Sequence, residues 1–135
     1  MKKFVFTAFL FFLFTGGSFS QNGWQFQNPN PTGNGLYCLS FVNSLTGFAV
    51  GQNGTFIKTL DGGTSWTLIN TGHNGIYDYF SAVVFTSVNT GYIAGGGGGF
   101  GSGKILKTTN AGLNWILVNP GAIYPVFGIY FVNEN

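Results

Sequence analysis

The chain has 135 residues, 44% hydrophobic, 19% aromatic and only 6% charged, with 23 glycines and a formal net charge of +2. It contains no arginine and its few lysines are scattered, so the basic face that a nucleic-acid binder requires is missing. A lone cysteine, Cys38, excludes an internal disulfide framework and a cysteine-based zinc cluster.

Taken in chain order, Met1-Lys2-Lys3 is a short basic segment and Phe4–Phe14 an apolar run. About eleven apolar residues are too few to cross a bilayer. With the small and polar residues Thr15–Ser20 behind them, residues 1–20 read as a secretory signal peptide cleaved before Gln21. Removing Lys2 and Lys3 leaves Lys58, Lys104 and Lys107 against Asp61, Asp78 and Glu134, so the exported form is formally neutral. It contains no membrane span. The expected location is the periplasm, the cell surface or the medium.

From Leu36 onward the chain repeats itself. Leu36–Phe41, Phe80–Phe85 and Val126–Phe131 share one pattern, with Phe41, Phe85 and Phe131 in register and the small residues Cys38, Ala82 and Gly128 three positions earlier. The small residue predicts close packing on a neighbour, with Cys38 a buried side chain rather than a reactive thiol. Thr46–Gly51 then matches Thr90–Gly95, Asn53-Gly54 marks a tight hairpin, and Lys104–Lys107 matches Thr55–Lys58. Trp66–Ile69 matches Trp115–Val118. Four short strands in a unit of roughly 45 residues predict stacked antiparallel sheets rather than one globular core.

The most specific element is the turn before each fourth strand. Thr59, Asp61, Gly63 and Trp66 recur as Thr108, Asn110, Gly112 and Trp115. An Asp or Asn side chain holds nearby backbone N–H groups, and Gly takes a positive φ without steric cost. This pattern resembles the Asp-box (BNR) repeat of β-propellers, the turn between the third and fourth strands of a blade. Across Trp24–Phe131 the repeats are similar to those of the photosystem II assembly and stability factor family. The resemblance implies an all-β fold of four-stranded propeller blades and a structural role for the eight turn residues. It also implies a chain made of two full blades with flanking strands. Photosynthetic members of that family carry an arginine-rich patch, for which this chain has no residues.

On this reading residues 21–35 hold an orphan fourth strand, around Trp24, that completes a last blade. Residues 36–72 are the first repeat, 73–121 the second, and 122–135 the start of a third, so the chain reads as the front part of a longer protein. A closed ring needs roughly six to eight such repeats.

Candidate chemistry is sparse. Gly95–Lys104 contains Gly-x-x-x-x-Gly-Lys, but Ile105 stands where a hydroxyl should hold magnesium and a strand follows instead of a helix. Val50 to Lys58 takes eight steps and Ala94 to Lys107 takes thirteen, so the glycine run is a lengthened, flexible hairpin loop. No cofactor or metal is expected, because the lone His73 has no companion at ligand spacing. The linker between the repeats carries His73, Tyr77, Asp78 and Tyr79, a polar and aromatic set on the propeller face where ligands dock. The expected function is a non-catalytic, secreted propeller that binds or scaffolds an unknown protein or glycan. The alternative is a sialidase-like glycoside hydrolase whose catalytic residues lie beyond Asn135.

Overall fold

The computed structural model describes residues 31–76, 78–97, 102–118 and 123–132. The expected signal peptide and the strand at Trp24 lie outside them. The described residues contain eight strands and no helix: β1 Leu36–Phe41, β2 Gly47–Gly51, β3 Phe56–Thr59, β4 Thr67–Leu68, β5 Tyr79–Phe85, β6 Gly91–Gly97, β7 Ser102–Thr108 and β8 Ile116–Leu117. They form two four-stranded antiparallel meanders, β1-β2-β3-β4 and β5-β6-β7-β8. The all-β blade architecture expected from the repeats is therefore present.

The turns follow local chemistry. Asn53 and Gly54 both have positive φ, at 54° and 65°, as a two-residue hairpin of twist-matched hand demands. Each inner strand then carries a bulge that the sequence did not announce. One residue is inserted at Tyr37 in β1 and one at Ser81 in β5. The bulge carries the preceding carbonyl over a glycine of the next strand. A Cβ on Gly51 would lie 2.0 Å from Gly35 O, and one on Gly95 2.0 Å from Tyr79 O.

The two sheets stack face to face. Phe48, Val50 and Phe56 project from the first blade onto Val83, Phe85, Ile93, Leu106 and Trp115 of the second, and these eight are buried. The Phe48 and Phe85 rings stack with centroids 3.6 Å apart, and Phe56 meets Trp115 edge-on at 5.1 Å. β5 is the strand of the second blade that packs against β1 and β2. Farther out the sheets are bridged by long side chains, Phe56 against Trp115 and Lys58 Nζ donating to Ala111 O at 3.1 Å. Apolar burial of this kind stabilises by roughly 25 cal/mol per Å2, so the inter-blade seam contributes to cohesion.

Three expectations change. The glycine run is partly ladder rather than loop, because Gly95, Gly96 and Gly97 pair with Lys104, Gly103 and Ser102. Lack of side chains is what permits this. A Cβ on Gly97 would collide with the Asp78 carboxylate, and one on Gly96 would meet Pro125. Residues 123–132 form no strand with any described residue, although Val126 N–H donates to Gly95 O at 3.1 Å and Phe131 lies on Tyr92 at 4.7 Å. Finally, Cys38 is half-buried rather than buried, with Sγ 3.8 Å from Val83 O, and Gly128 meets nothing within 4 Å.

Candidate functional site

The strands run back and forth between two ends. The end where β1 and β5 begin carries the linkers and the β2–β3 hairpin, while the opposite end carries the β1–β2 turns and the two Thr–Trp turns.

At the Thr–Trp end, Thr59 is fully buried and organises its turn through one hydroxyl. It donates to Asp61 Oδ1 at 2.7 Å and accepts from Asp61 N–H at 3.3 Å and Gly63 N–H at 2.9 Å. Asp61 in turn accepts from Ser65 N–H at 2.8 Å and from Ser65 Oγ–H at 2.5 Å. The Ser65 hydroxyl and backbone N–H, helped by the Thr59 hydroxyl, lower the Asp61 carboxyl from 3.8 to about 2. The second turn repeats the network with neutral groups. Thr108 Oγ1 donates to Asn110 Oδ1 at 2.9 Å and accepts from Gly112 N–H at 3.0 Å, and Asn114 N–H donates to Asn110 at 2.9 Å. Trp115 closes it by donating its indole N–H to Gly112 O at 3.1 Å. Every oxygen of Asp61 and Asn110 is thus spent on its own turn, and neither is presented as an acid or base.

The leading end has a different character. An open cleft of about 620 Å3 lies where the inner strands start. Tyr37, Gln52, Asn53 and Ile76 line one part of it, and Asp78, Tyr79, Ser81 and Phe127 the rest. Asp78 is the junction of its walls. Its carbonyl accepts from Gly54 N–H at 3.0 Å, Oδ2 accepts from Gly75 N–H at 3.2 Å, and Oδ1 forms an ion pair with Lys104 Nζ at 2.6 Å. Gln52 bridges to Tyr79, and its Oε1 accepts from Gly35 N–H at 3.0 Å. The cleft is therefore walled by loops tied to each other, with its one carboxylate neutralised by one lysine.

Of the linker residues singled out by sequence, Asp78 and Tyr79 reach this cleft. His73 does not line it; its carbonyl sits over Gly54, where a Cβ would come within 2.0 Å. Tyr77 lies outside the described residues. Sequence reading missed Tyr37, Gln52, Ser81 and Phe127. The available signal was the glycine closing Thr46–Gly51 and Thr90–Gly95, which marks the bulge that turns Tyr37 and Ser81 aside. Asp61 and Asp78, the two acids among the described residues, sit at opposite ends, so they make no catalytic carboxylate pair. Among the described residues there is also no group of three or more His, Cys, Asp or Glu side chains suited to a metal. No helix among them is long and apolar enough to cross a membrane.

Comparison with known proteins agrees with this architecture. No curated protein matches the chain by sequence. A solved structure described as "YCF48 bound to D1 peptide" is similar over 67% of the chain, with 29% identity and a TM-score of 0.54. The match covers 28% of that structure's own chain. The family described as photosynthesis system II assembly factor YCF48 matches residues 18–125, most of the sequence. This chain belongs to that family of BNR-type β-propellers.

Proposed function

We propose that the chain contributes blades to an exported propeller that binds a polypeptide and acts as a scaffold, the leading-end cleft being the contact surface. The observation that carries this reading is the cleft itself. It is open, rich in aromatic rings and walled by hydrogen-bonded loops, and it belongs to a family one of whose similar structures is described as bound to a D1 peptide. The two Thr–Trp turns serve as the Asp-box elements of the blades, holding hairpins rather than ligands.

Binding of the full chain to an array of unbiased peptide sequences tests the reading. A subset should bind saturably and release on Tyr79→Ala. If no peptide binds a folded sample, the scaffold reading fails. Export rests on the basic and apolar segments at Met1–Phe14. Intact mass of secreted material should place its first residue at Gln21, and recovery of Phe4–Phe14 in the mature product would refute that.

A further inference from the structure

The bulge in each inner strand has a directional consequence. A bulged residue leaves the alternation of its strand, which re-aims its side chain. Tyr37 and Ser81 are the inserted residues, and both line the leading-end cleft. Phe127, at the corresponding place in the third repeat, lines it too. Tyr37 and Ser81 reach the cleft from strand bulges and Phe127 from a segment that forms no strand, and the Ser81 hydroxyl is spent on Val126 O at 2.5 Å and Ala94 O at 3.3 Å.

The chemistry of the ligand follows from what surrounds these residues. Asp78 and Lys104 form a close pair, with side chains 12% and 23% exposed, so the cleft offers no uncompensated charge. Tyr37 and Phe127 are more than half exposed, presenting ring faces to solvent. Gln52 has its carbonyl oxygen engaged by Gly35 N–H, which turns its amide nitrogen into the available donor. Exposed rings beside amide and phenol donors match a chain that offers flat apolar rings and unpaired carbonyls. Proline-rich segments do this, since a polyproline II helix has no internal hydrogen bonds and docks on aromatic-lined grooves. Acidic or basic segments gain nothing here, because no charge complements theirs.

We infer that the exposed rings of Tyr37 and Phe127 read the ligand, and that the ligand is an uncharged, proline-rich polypeptide segment. This rests on the polypeptide-binding reading above and narrows it.

The test is calorimetric titration of the full chain with five capped probes. These are oligoproline, an uncharged Gly/Ser peptide, oligoglutamate, oligolysine and a cello-oligosaccharide. Oligoproline should bind saturably, and its affinity should change by less than about twofold between low salt and ~0.5 M salt. Tyr37→Ala should weaken it by at least about tenfold, and Tyr37→Phe, which keeps the ring, by less than about threefold. Phe127→Ala provides a second, independent variant, and far-UV circular dichroism verifies that both fold. Preference for a charged or Gly/Ser peptide overturns the inference and leaves polypeptide binding standing. Failure of every peptide, here and on the unbiased array, removes both readings. Tyr37-dependent binding of the oligosaccharide alone, or oligoproline binding indifferent to both alanine variants, also overturns it.

Discussion

The two blades have nearly the same sequence pattern and opposite circumstances. In the second, the face carrying Phe85, Ile93, Leu106 and Trp115 is covered by the first blade, and Phe85 and Trp115 are each 9% exposed. In the first, the equivalent face carries Phe41, Ala49, Ile57 and Trp66; no other strand among the described residues packs on it, and Phe41 is 43% exposed although Ala49 and Ile57 are buried. The Phe–Trp contact inside each blade is almost unchanged, edge-on at 6.2 Å in one and 6.1 Å in the other. A blade therefore holds its own shape and buries Ala49 and Ile57 by itself, while the Phe ring at its rim is covered only where a neighbour packs on it. That is the energetic rule of repeat proteins, in which interfaces between units carry much of the stability.

The comparison can be broken most directly at the paired phenylalanines. Phe85→Ala should destabilise by about 3–5 kcal/mol, as for a buried ring leaving a cavity. Phe41→Ala should cost only about 1–2 kcal/mol, in line with partial burial. Urea unfolding of both variants checks this, and equal costs would mean that the first blade's face is covered in solution.

The paired turn glycines come next. Gly112 has φ of 84°, and a Cβ there would sit 2.8 Å from the Phe56 ring of the other blade. Gly63 has φ of 94° but only the Trp66 ring nearby, at 3.7 Å. Gly112→Ala should thus cost about 2–4 kcal/mol, strain plus overpacking, and Gly63→Ala about 1–2 kcal/mol from strain alone. Thermal melts that rank them the other way would detach the second turn from the inter-blade seam.

One position before these glycines, Gly62 and Ala111 both take positive φ, 71° and 58°. Glycine does so freely and alanine does not. Ala111→Gly should stabilise by about 0.5–1 kcal/mol, and Gly62→Ala should destabilise by a similar amount. Opposite signs in the melting shifts are the expected result, and a loss in both would contradict it.

The smallest effect distinguishes the turns by pH. Asp61 titrates at about 2 in the fold against 3.8 for a free carboxyl, because Ser65 and Thr59 donate to its charged form. A depressed folded value means the contribution is present above about pH 4 and is lost as pH falls toward 2. Asn110 has no such titration. Acid titration of wild type and Asp61→Asn, followed by thermal melting, should show part of the acid loss vanish in the variant. Identical profiles would rule the turn out as its source.

Much of the architecture was written in residue type and spacing. The Thr59–Trp66 and Thr108–Trp115 turns, the Asn53-Gly54 hairpin and the in-register phenylalanines are local signals, each made by a side chain that bonds or packs within its own repeat. What could not be read locally was contact between repeats. Gly112 looks like an ordinary turn glycine until Phe56 is found against it from the neighbouring blade. The bulges were hidden because an inserted residue changes register without changing composition. Hence Tyr37 and Ser81 looked like ordinary strand residues, whereas Asp78 and Tyr79 stood out in a linker. The glycine run misled for a related reason. Its lack of side chains looked like slack, but it allows close passage of Tyr79, Asp78 and Pro125.

The stacking of rings across the seam has an evolutionary corollary. Phe48 lies on Phe85 with Lys58 over it at 5.5 Å, and Tyr92 lies against Phe131 with Lys107 over it at 5.6 Å. A ring-on-ring contact capped by a lysine thus recurs at both joints, parallel at 5° in the first and tilted at 36° in the second. A gene that gains or loses one whole repeat needs no new interface to accommodate the change. Copy number can drift while the joints stay intact, and the diameter of the ring, rather than the chemistry of its seams, is what duplication would alter.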